Sequence, residues 1–243
     1  MMKRMALFVV VMIGTPLAAN AQSLFGTRGL GVPADGYDAR ARALGVNGVG
    51  LIGLSTSMVN PAETAGTLRR GVSATFQPWV GSAEFEGEDD NVSSTRFPLV
   101  RILYPTRMGV FSLGYSGVLE QSWAVIADGQ EILLSDTVVT RDLVETVGGI
   151  GQLRLGFARR VGNRVALGAA LGIYTGNIDR GVTRSYPDSL ELGFRGFETH
   201  ARWNYSGPLA VFGVRFDPMT DVRLGASVTW SGTLKAKPTE GSD

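Results

Sequence analysis

The residues of this chain that could do hydrolytic chemistry lie on one short segment. His200 is the single histidine, and Glu198, Asn204 and Ser206 share its even numbering, so a strand would carry all four on one face. A histidine beside a serine and an acid or amide can activate a hydroxyl nucleophile. No nucleophile motif surrounds this serine, and a lone histidine on a strand usually has a structural role. The sequence therefore predicts no enzyme.

Two further motifs resemble ligand sites, but their context does not support them. Gly48, Gly50 and Gly53 match the dinucleotide fingerprint, yet no apolar strand precedes them and no acidic residue follows at the distance that holds a ribose. The acidic stretch 84–90 could bind Ca²⁺ through carboxylates, but it lacks the spacing and the glycine of an EF-hand loop. We therefore predict no cofactor and no metal.

The composition excludes several other classes of function. The chain has 243 residues, of which 44% are hydrophobic, and this fits one ordered domain. The absence of cysteine excludes a disulfide scaffold, thiolate metal sites and cysteine nucleophiles. None of the lysines, at positions 3, 235 and 237, follows a glycine-rich loop, which excludes a P-loop nucleotide site.

The first 21 residues have the features of an export signal. Lys3 and Arg4 precede the apolar run 5–14, and Ala19-Asn20-Ala21 is a small-x-small cleavage site. The run is shorter than the roughly 20 residues that a membrane helix needs; the alternative is a buried N-terminal helix. Cleavage after Ala21 leaves 21 basic residues, which is 23 less Lys3 and Arg4, against 22 acidic ones. This near-neutral balance gives no reason to expect nucleic acid as a partner.

From Gly71 onward the apolar residues recur with a period of two, which indicates strands with two different faces. Gly162-Asn163 has the residue types of a tight hairpin turn. At Gly207-Pro208 the apolar parity changes, which predicts a β-bulge. Three long excursions, 81–93, 121–146 and 177–195, separate the short turns, and Asp128-Gly129 is the predicted tip of the second. We predict seven strands, at residues 71–80, 94–104, 108–120, 147–161, 165–176, 196–216 and 221–236.

The less apolar face of these strands distinguishes a membrane barrel from a soluble sandwich. That face is rich in glycine, alanine and serine, whereas the other is aliphatic and aromatic, with Tyr104, Tyr115 and Trp230 near strand ends. We predict an all-β, antiparallel transmembrane barrel at residues 71–243, in contact with bacterial outer-membrane lipid. Single-chain bacterial barrels normally have an even number of strands, so seven strands predict the N-terminal part of a longer barrel.

Residues 22–70 form a separate glycine-rich segment, which we interpret as a plug. Within it, a short helix is predicted to begin near Ala39. The segment contains Ala41-Arg42-Ala43-Leu44-Gly45 and Ser57-Met58-Val59-Asn60-Pro61-Ala62, and a later block comprises 212–218 and 222–227. With these motifs the chain resembles the FadL/TodX family of outer-membrane transporters of long-chain fatty acids and other hydrophobic compounds. The triplet Asn60-Pro61-Ala62 matches the hatch motif of that family.

The resemblance implies a 14-stranded barrel plugged by an N-terminal hatch, of which this chain would carry half, and a monomeric, passive transporter. Substrate would be captured among the long loops, pass to a pocket in the barrel and leave when the hatch moves, often sideways through a gap in the wall. The implied hatch residues are Asn60, Pro61, Ala62, Gly48 and Gly50. The candidate substrate-binding residues are Leu24 and Phe25 at the mature N-terminus and the apolar loop residues Trp123, Val125, Ile126, Ile132, Leu133 and Leu134.

Several alternatives remain open at this stage. The apolar loop residues could instead pair across an extended hairpin. The protein could be a non-transporting barrel that serves as a structural or secretion partner, a general porin, or a barrel hydrolase that uses His200. Arginines that face the lumen could pair with acids of the hatch, and the candidates are Arg101, Arg154, Arg215 and Arg223 with Asp35, Asp38 or Glu63.

Overall fold

The computed structural model describes residues 31–34, 36–45, 56–85, 88–133, 136–186, 196–220 and 222–239. Several predictions fall on residues outside these ranges. They concern the export signal at 1–21 and the residues Leu24, Phe25, Asp35, Gly48, Gly50, Gly53 and Leu134.

The described chain is almost entirely β-strand, which confirms the predicted all-β class. The helices are α1 (Ala39–Ala43) and the 3-10 helix Pro61–Gly66, and the strands are β1 (Val32–Pro33), β2 (Gly71–Phe85), β3 (Glu88–Pro105), β4 (Val110–Leu133), β5 (Asp136–Val161), β6 (Val165–Ser185), β7 (Phe197–Met219), β8 (Val222–Ser231) and β9 (Lys235–Pro238). The seven long strands β2 to β8 pair antiparallel in chain order, β1 pairs with β4, and β9 pairs with β7. The described ranges contain no candidate for a membrane-spanning helix.

The predicted excursions are largely continuations of the strands. β4 and β5 stay paired as far as Leu133 and Asp136. The predicted tip at Asp128-Gly129 is wrong, because these residues pair in mid-strand with Arg141 and Thr140. Cross-strand partners of opposite charge stabilise a sheet, and Arg141 Nε lies 2.8 Å from Asp128 Oδ1. We call residues 120–133, 136–147, 177–185 and 197–205 the hairpin extensions.

The predicted bulge at Gly207-Pro208 is also wrong in its position. β7 pairs with β6 in unbroken register through both residues. The extra residue lies on the opposite edge of β7, where residues 232–234 connect β8 to β9 opposite Gly207 and Pro208. In an antiparallel strand the N–H and C=O of one residue face the same neighbour. The Pro208 carbonyl accepts from the Gly232 amide. The donor that proline lacks is therefore missing on that side, where the ladder breaks.

The sheet exposes its apolar face and buries the face that carries its polar residues. On β5, the Arg154 side chain is 8% exposed, whereas the neighbouring Leu155 is 61% exposed. Water-soluble proteins instead bury most of their large apolar side chains and expose their arginines. We call the exposed rows the apolar belt, which comprises Val100, Ile102, Tyr104, Phe111, Leu113, Tyr115, Leu153, Leu155, Leu167, Leu171, Ile173, Phe212, Val214, Phe216, Leu224, Val228 and Trp230.

Candidate functional site

The candidate site is the contact between the N-terminal segment and the inner face of the sheet. We call residues 31–45 and 56–70 the hatch segment. The part of it that contains Ser57, Asn60, Ala62 and Thr64 is almost fully buried. The 3-10 helix lies against β5, β6 and β7, and Ser57 contacts Arg101 of β3. The face opposite the apolar belt is therefore covered by the chain itself.

Asp38 joins the two parts of the hatch segment. Its Oδ1 accepts a hydrogen bond from the Ala41 amide (2.8 Å) and so caps α1. Its Oδ2 accepts from the amides of Thr56 (2.6 Å) and Ser57 (3.2 Å). Hydrogen bonds to an ionised acceptor are stronger than neutral ones, so this buried carboxylate fixes the position of residues 56–57 relative to α1.

We call the sheet of β2 to β8 the wall. Two of its buried arginines bind the backbone of the hatch segment. Arg101 donates to the Ser57 carbonyl (2.5 Å), and Arg154 donates to the Met58 carbonyl (2.7 Å). The side chain of Arg154 is held by Gln152, which accepts from its Nε (3.0 Å) and donates to Ser116 (2.9 Å). Both arginines therefore bind carbonyl oxygens of the hatch segment. Of the predicted hatch acids, Asp38 interacts electrostatically with Arg101, and Asp35 lies outside the described residues.

Asn60, Pro61 and Ala62 form the tightest contact with the wall. Asn60 caps the 3-10 helix by accepting from the Ala62 amide (3.0 Å) and donates to the Val214 carbonyl (3.0 Å). Pro61 follows at the first helical position, where a missing N–H costs nothing. Gly168 has no side chain, which allows this close approach, because a Cβ at this position would overlap the backbone of Pro61 and Ala62. The predicted hatch triplet is thus seated directly on β6 and β7.

A charged cluster lies at the end of the 3-10 helix. Arg215 donates to the Glu63 carbonyl (3.2 Å), and the Glu63 Oε2 lies 4.0 Å from Arg215 Nη1 and 3.8 Å from Arg223 Nη1. Asp217 lies 3.3 Å from Arg215 and 3.0 Å from Arg223. Arg160 joins through Asp217 at 3.8 Å. The predicted approach of Arg215 and Arg223 to Glu63 is present, and Asp217 shares the same guanidinium groups.

β1 occupies an edge of β4 that β3 leaves open. β3 pairs with β4 from Pro105 only as far as Leu99, opposite Ser116. Beyond the irregularity at Val118, β1 pairs with β4 instead, and the Ala34 amide donates to the Val118 carbonyl (2.8 Å). A strand edge with unpaired N–H and C=O groups is costly outside water. This short stretch of the hatch segment therefore completes the ladder of the wall.

The predicted substrate-binding residues that are described do not converge. Because Val118 is an extra residue in β4, odd positions beyond it face inward, and Trp123 lies on the face of the buried Gln121. Ile126 lies on the opposite, exposed face, paired with Leu143. Leu133 ends β4. The alternative interpretation, pairing across an extended hairpin, is the arrangement observed.

His200 is not assembled into a hydrolytic triad. Its Nε2 lies 2.6 Å from Glu198 Oε1 and its Nδ1 lies 3.9 Å from Asp179 Oδ1. Ser206 is six residues further along β7, which at about 3.3 Å per residue places it about 20 Å away. The hydrogen bond with Glu198 raises the pKa of His200. Within the described ranges no three carboxylate or histidine side chains cluster as a metal site.

Ion pairs line the hairpin extensions. Arg184 binds Asp142 through two bonds of 2.7 Å and also reaches Glu131 at 3.2 Å. The hydrogen bonds from Arg184 lower the pKa of Asp142, and those from Arg141 lower the pKa of Asp128. The extensions thus expose charged side chains among apolar ones such as Ile126 and Ile132, whereas the belt exposes rows of apolar side chains.

Comparison with known proteins finds no matching family model, no similar curated protein and no similar solved structure. Several residues of the site have no local signal in the sequence. Gly168 and Gly213 lie directly against the hatch segment, whereas Gln152 and Asp217 hold arginines that contact it. All four look like ordinary strand and turn residues in the sequence, and only the pairing of distant segments shows these contacts.

Proposed function

We propose that the protein is an outer-membrane barrel through which long-chain fatty acids or other hydrophobic compounds cross passively, with residues 22–70 as its hatch. The observation that carries this proposal is the inverted burial: the apolar belt faces outward, while the buried arginines and the hatch segment lie on the inner face. An exposed apolar surface of this extent needs an apolar phase to cover it. The resemblance to the FadL/TodX family supplies the substrate class.

In this proposal, substrate meets the hairpin extensions first. Ile126 and Ile132 are exposed there among charged neighbours, and they offer an apolar surface to an amphipathic molecule outside the cell. The substrate then enters the space that the hatch segment occupies. No covalent step and no energy source is involved, so the protein is a monomeric conduit and not an enzyme.

The exit route in this proposal is the edge between β3 and β4. The pairing of these strands ends at Leu99 and Ser116, and β1 covers the edge beyond. Because β1 belongs to the hatch segment, its withdrawal would remove its backbone bonds to β4 and leave a gap in the wall. Substrate would leave sideways through this gap.

A reversible crosslink between β1 and β4 tests this route. Pro33 and Leu119 are opposite each other, next to the hydrogen-bonded pair of Ala34 and Val118. Pro33 and Leu119 are therefore a non-hydrogen-bonded pair. The Cα atoms of such a pair are about 4.5 Å apart, which suits a disulfide. The chain has no cysteine of its own. Oxidation of Pro33→Cys/Leu119→Cys should block uptake of a radiolabelled long-chain fatty acid by cells, and reduction should restore it.

The matched control places a crosslink in the permanent wall. Ala169 and Phe212 are an equivalent non-hydrogen-bonded pair of β6 and β7, because the Asp217 amide donates to the Arg164 carbonyl in the same ladder. Oxidation of Ala169→Cys/Phe212→Cys should leave uptake unchanged. Equal uptake by the oxidised and reduced β1–β4 variant would contradict the sideways route.

The alternative functions predict different experimental results. A non-transporting barrel would leave fatty-acid uptake unchanged when the gene is deleted and would alter the export of surface proteins. A general porin would make liposomes swell in solutions of small sugars. A barrel hydrolase would lose lipase activity in His200→Ala. Recovery of the protein from the soluble periplasmic fraction would contradict the membrane location itself.

A further inference from the structure

A basic groove opens at the end of the sheet where the turns are short. It has a volume of about 910 Å³ and lies between residues 65–70, the turn from β3 to β4 and the end of β5. We call it the rim groove. Its lining contains no acidic residue, and the arginines that line it are Arg69, Arg70, Arg107, Arg159 and Arg160.

Most of this positive charge is not neutralised within the described part of the chain. Arg69, Arg107 and Arg159 are exposed, and no ion pair joins them to a described residue. Arg160 lies 3.8 Å from Asp217, an acid that two other arginines share. Guanidinium groups gathered in this way favour a ligand with several anionic oxygens, because their fork of donors matches phosphate.

The rim groove also adjoins the edge of the apolar belt. The Arg70 guanidinium lies 4.4 Å from the centre of the Tyr104 ring, and Tyr104 is the last belt residue of β3. Arg159 follows Leu155 and Phe157 at a spacing of two along β5, on the same side of the strand. Leu68 and Met108, which line the groove, are 90% and 64% exposed. The cations thus stand where the apolar surface ends.

We propose that the rim groove binds the phosphate of an anionic phospholipid headgroup. A free phosphate ion would use the arginines alone, whereas a phospholipid would use both the arginines and the apolar side chains of Leu68 and Met108. The hairpin extensions at the other end carry many carboxylates, including Asp128, Glu131 and Asp142, so an anionic lipid would be recognised at one end only. The inference rests on the proposed function, since it requires a protein in a bilayer.

The test measures lipid binding to the protein extracted from bacterial outer membranes. Native mass spectrometry in mild detergent would follow titration with phosphatidylglycerol, with phosphatidylcholine and with inorganic phosphate. The variant is Arg69→Gln/Arg107→Gln. Its matched control, Lys235→Gln/Lys237→Gln, removes the same charge from exposed residues of β9. Each cation near an anionic lipid surface contributes about fivefold to affinity, so the variant should bind phosphatidylglycerol about thirtyfold more weakly.

We expect wild-type protein and the lysine control to bind phosphatidylglycerol in preference to phosphatidylcholine, and the arginine variant to lose that preference. Equal affinity of wild type and arginine variant for phosphatidylglycerol would overturn the inference. The inference would also be overturned if inorganic phosphate displaced phosphatidylglycerol and bound with a similar affinity, because the rim groove would then be a site for a free ion. Failure of the wild-type protein to appear in the membrane fraction would instead overturn the proposed function, which keeps the two results distinct.

Discussion

The two ends of strands β4 to β7 differ in what they expose, although one continuous ladder joins them. Toward the short turns, the outer face shows Leu171 and Phe212, and the inner face packs on the hatch segment. In the hairpin extensions, the same strands present paired charges such as Arg141 with Asp128 and Arg202 with Asp179. The backbone pairing is the same in both regions, and the side chains alone change.

The strands therefore have side chains suited to two different surroundings. Backbone hydrogen bonds between strands satisfy N–H and C=O groups in lipid and in water alike. Side chains cannot serve both, because exposed charges are costly in lipid and exposed apolar rows are costly in water. The place where the apolar belt gives way to ion pairs therefore marks a boundary between two solvents in our proposal.

A charge placed in the apolar belt should give the largest effect. Leu171 is 67% exposed in the belt, and Ile126 is 57% exposed in an extension. Leu171→Arg should lower the free energy of unfolding from lipid vesicles by about 2–4 kcal/mol if the side chain meets hydrocarbon. Ile126→Arg should change it by less than about 0.5 kcal/mol. Urea titrations of both variants in the same vesicles measure the difference, and equal small effects would place the belt in water.

Crowding the hatch contact should give the next largest effect. A Cβ at Gly168 would lie 2.8 Å from Ala62 Cα, whereas one at Gly71 would meet nothing within 4 Å. Gly168→Ala should cost about 1–3 kcal/mol through overpacking and should displace the 3-10 helix, so that protease cleaves the hatch segment while the sheet persists. Gly71→Ala is the control that keeps the segment protected. Unchanged protection in Gly168→Ala would contradict the seating of the hatch on β6.

Removing the carboxylate of Glu63 should have a smaller effect. Its distances to Arg215 and Arg223 are 4.0 and 3.8 Å, and both arginines keep Asp217. Glu63→Gln should therefore cost about 1–2 kcal/mol, less than the loss of a lone partner in a buried ion pair. Asp128→Asn, at an exposed pair, should cost less than Glu63→Gln, because solvent screens exposed ion pairs. Denaturant titrations that show equal costs would mean that the cluster does not hold the hatch segment.

Period-two alternation predicted the long strands because six of the seven, β3 to β8, have one apolar face in the belt. It could not predict how far the strands extend, since the extensions are held by cross-strand pairs such as Asp142 with Arg184, and these depend on register. It also could not place Trp123 and Ile126, because an extra residue at Val118 inverts the facing of everything beyond it.

The hatch contacts were predictable in part. Asn60-Pro61 is a turn by its residue types, and the structure shows it as the start of a 3-10 helix. Its bond to the Val214 carbonyl joins residues 154 positions apart, and no local pattern encodes such a pairing. Glycine at 168 likewise reads as an ordinary small strand residue until the hatch segment is laid against it.

The smallest effect, and the sharpest view of the extensions, comes from the titration of His200. The hydrogen bond with Glu198 raises its pKa above 6.5, and Asp179 and Glu145 add to the shift. A pKa that is raised by folding means that the contribution to stability is fully present below the unfolded value and is lost as the pH rises through the folded value. Glu198→Gln should move the pKa back toward 6.5.

NMR can follow this titration directly, because the chain contains one histidine and the imidazole signals need no further assignment. Glu131→Gln is the control, since that carboxylate pairs with Arg184 instead, and it should leave the His200 pKa in place. Titration of His200 in intact vesicles would also show that this imidazole meets water. An unchanged pKa of His200 in Glu198→Gln would contradict the contact between the two side chains. Loss of the titration in intact vesicles would place His200 inside the lipid, because a histidine buried in lipid cannot take up a proton at ordinary pH. The boundary between the two solvents would then lie further out along the hairpin extensions.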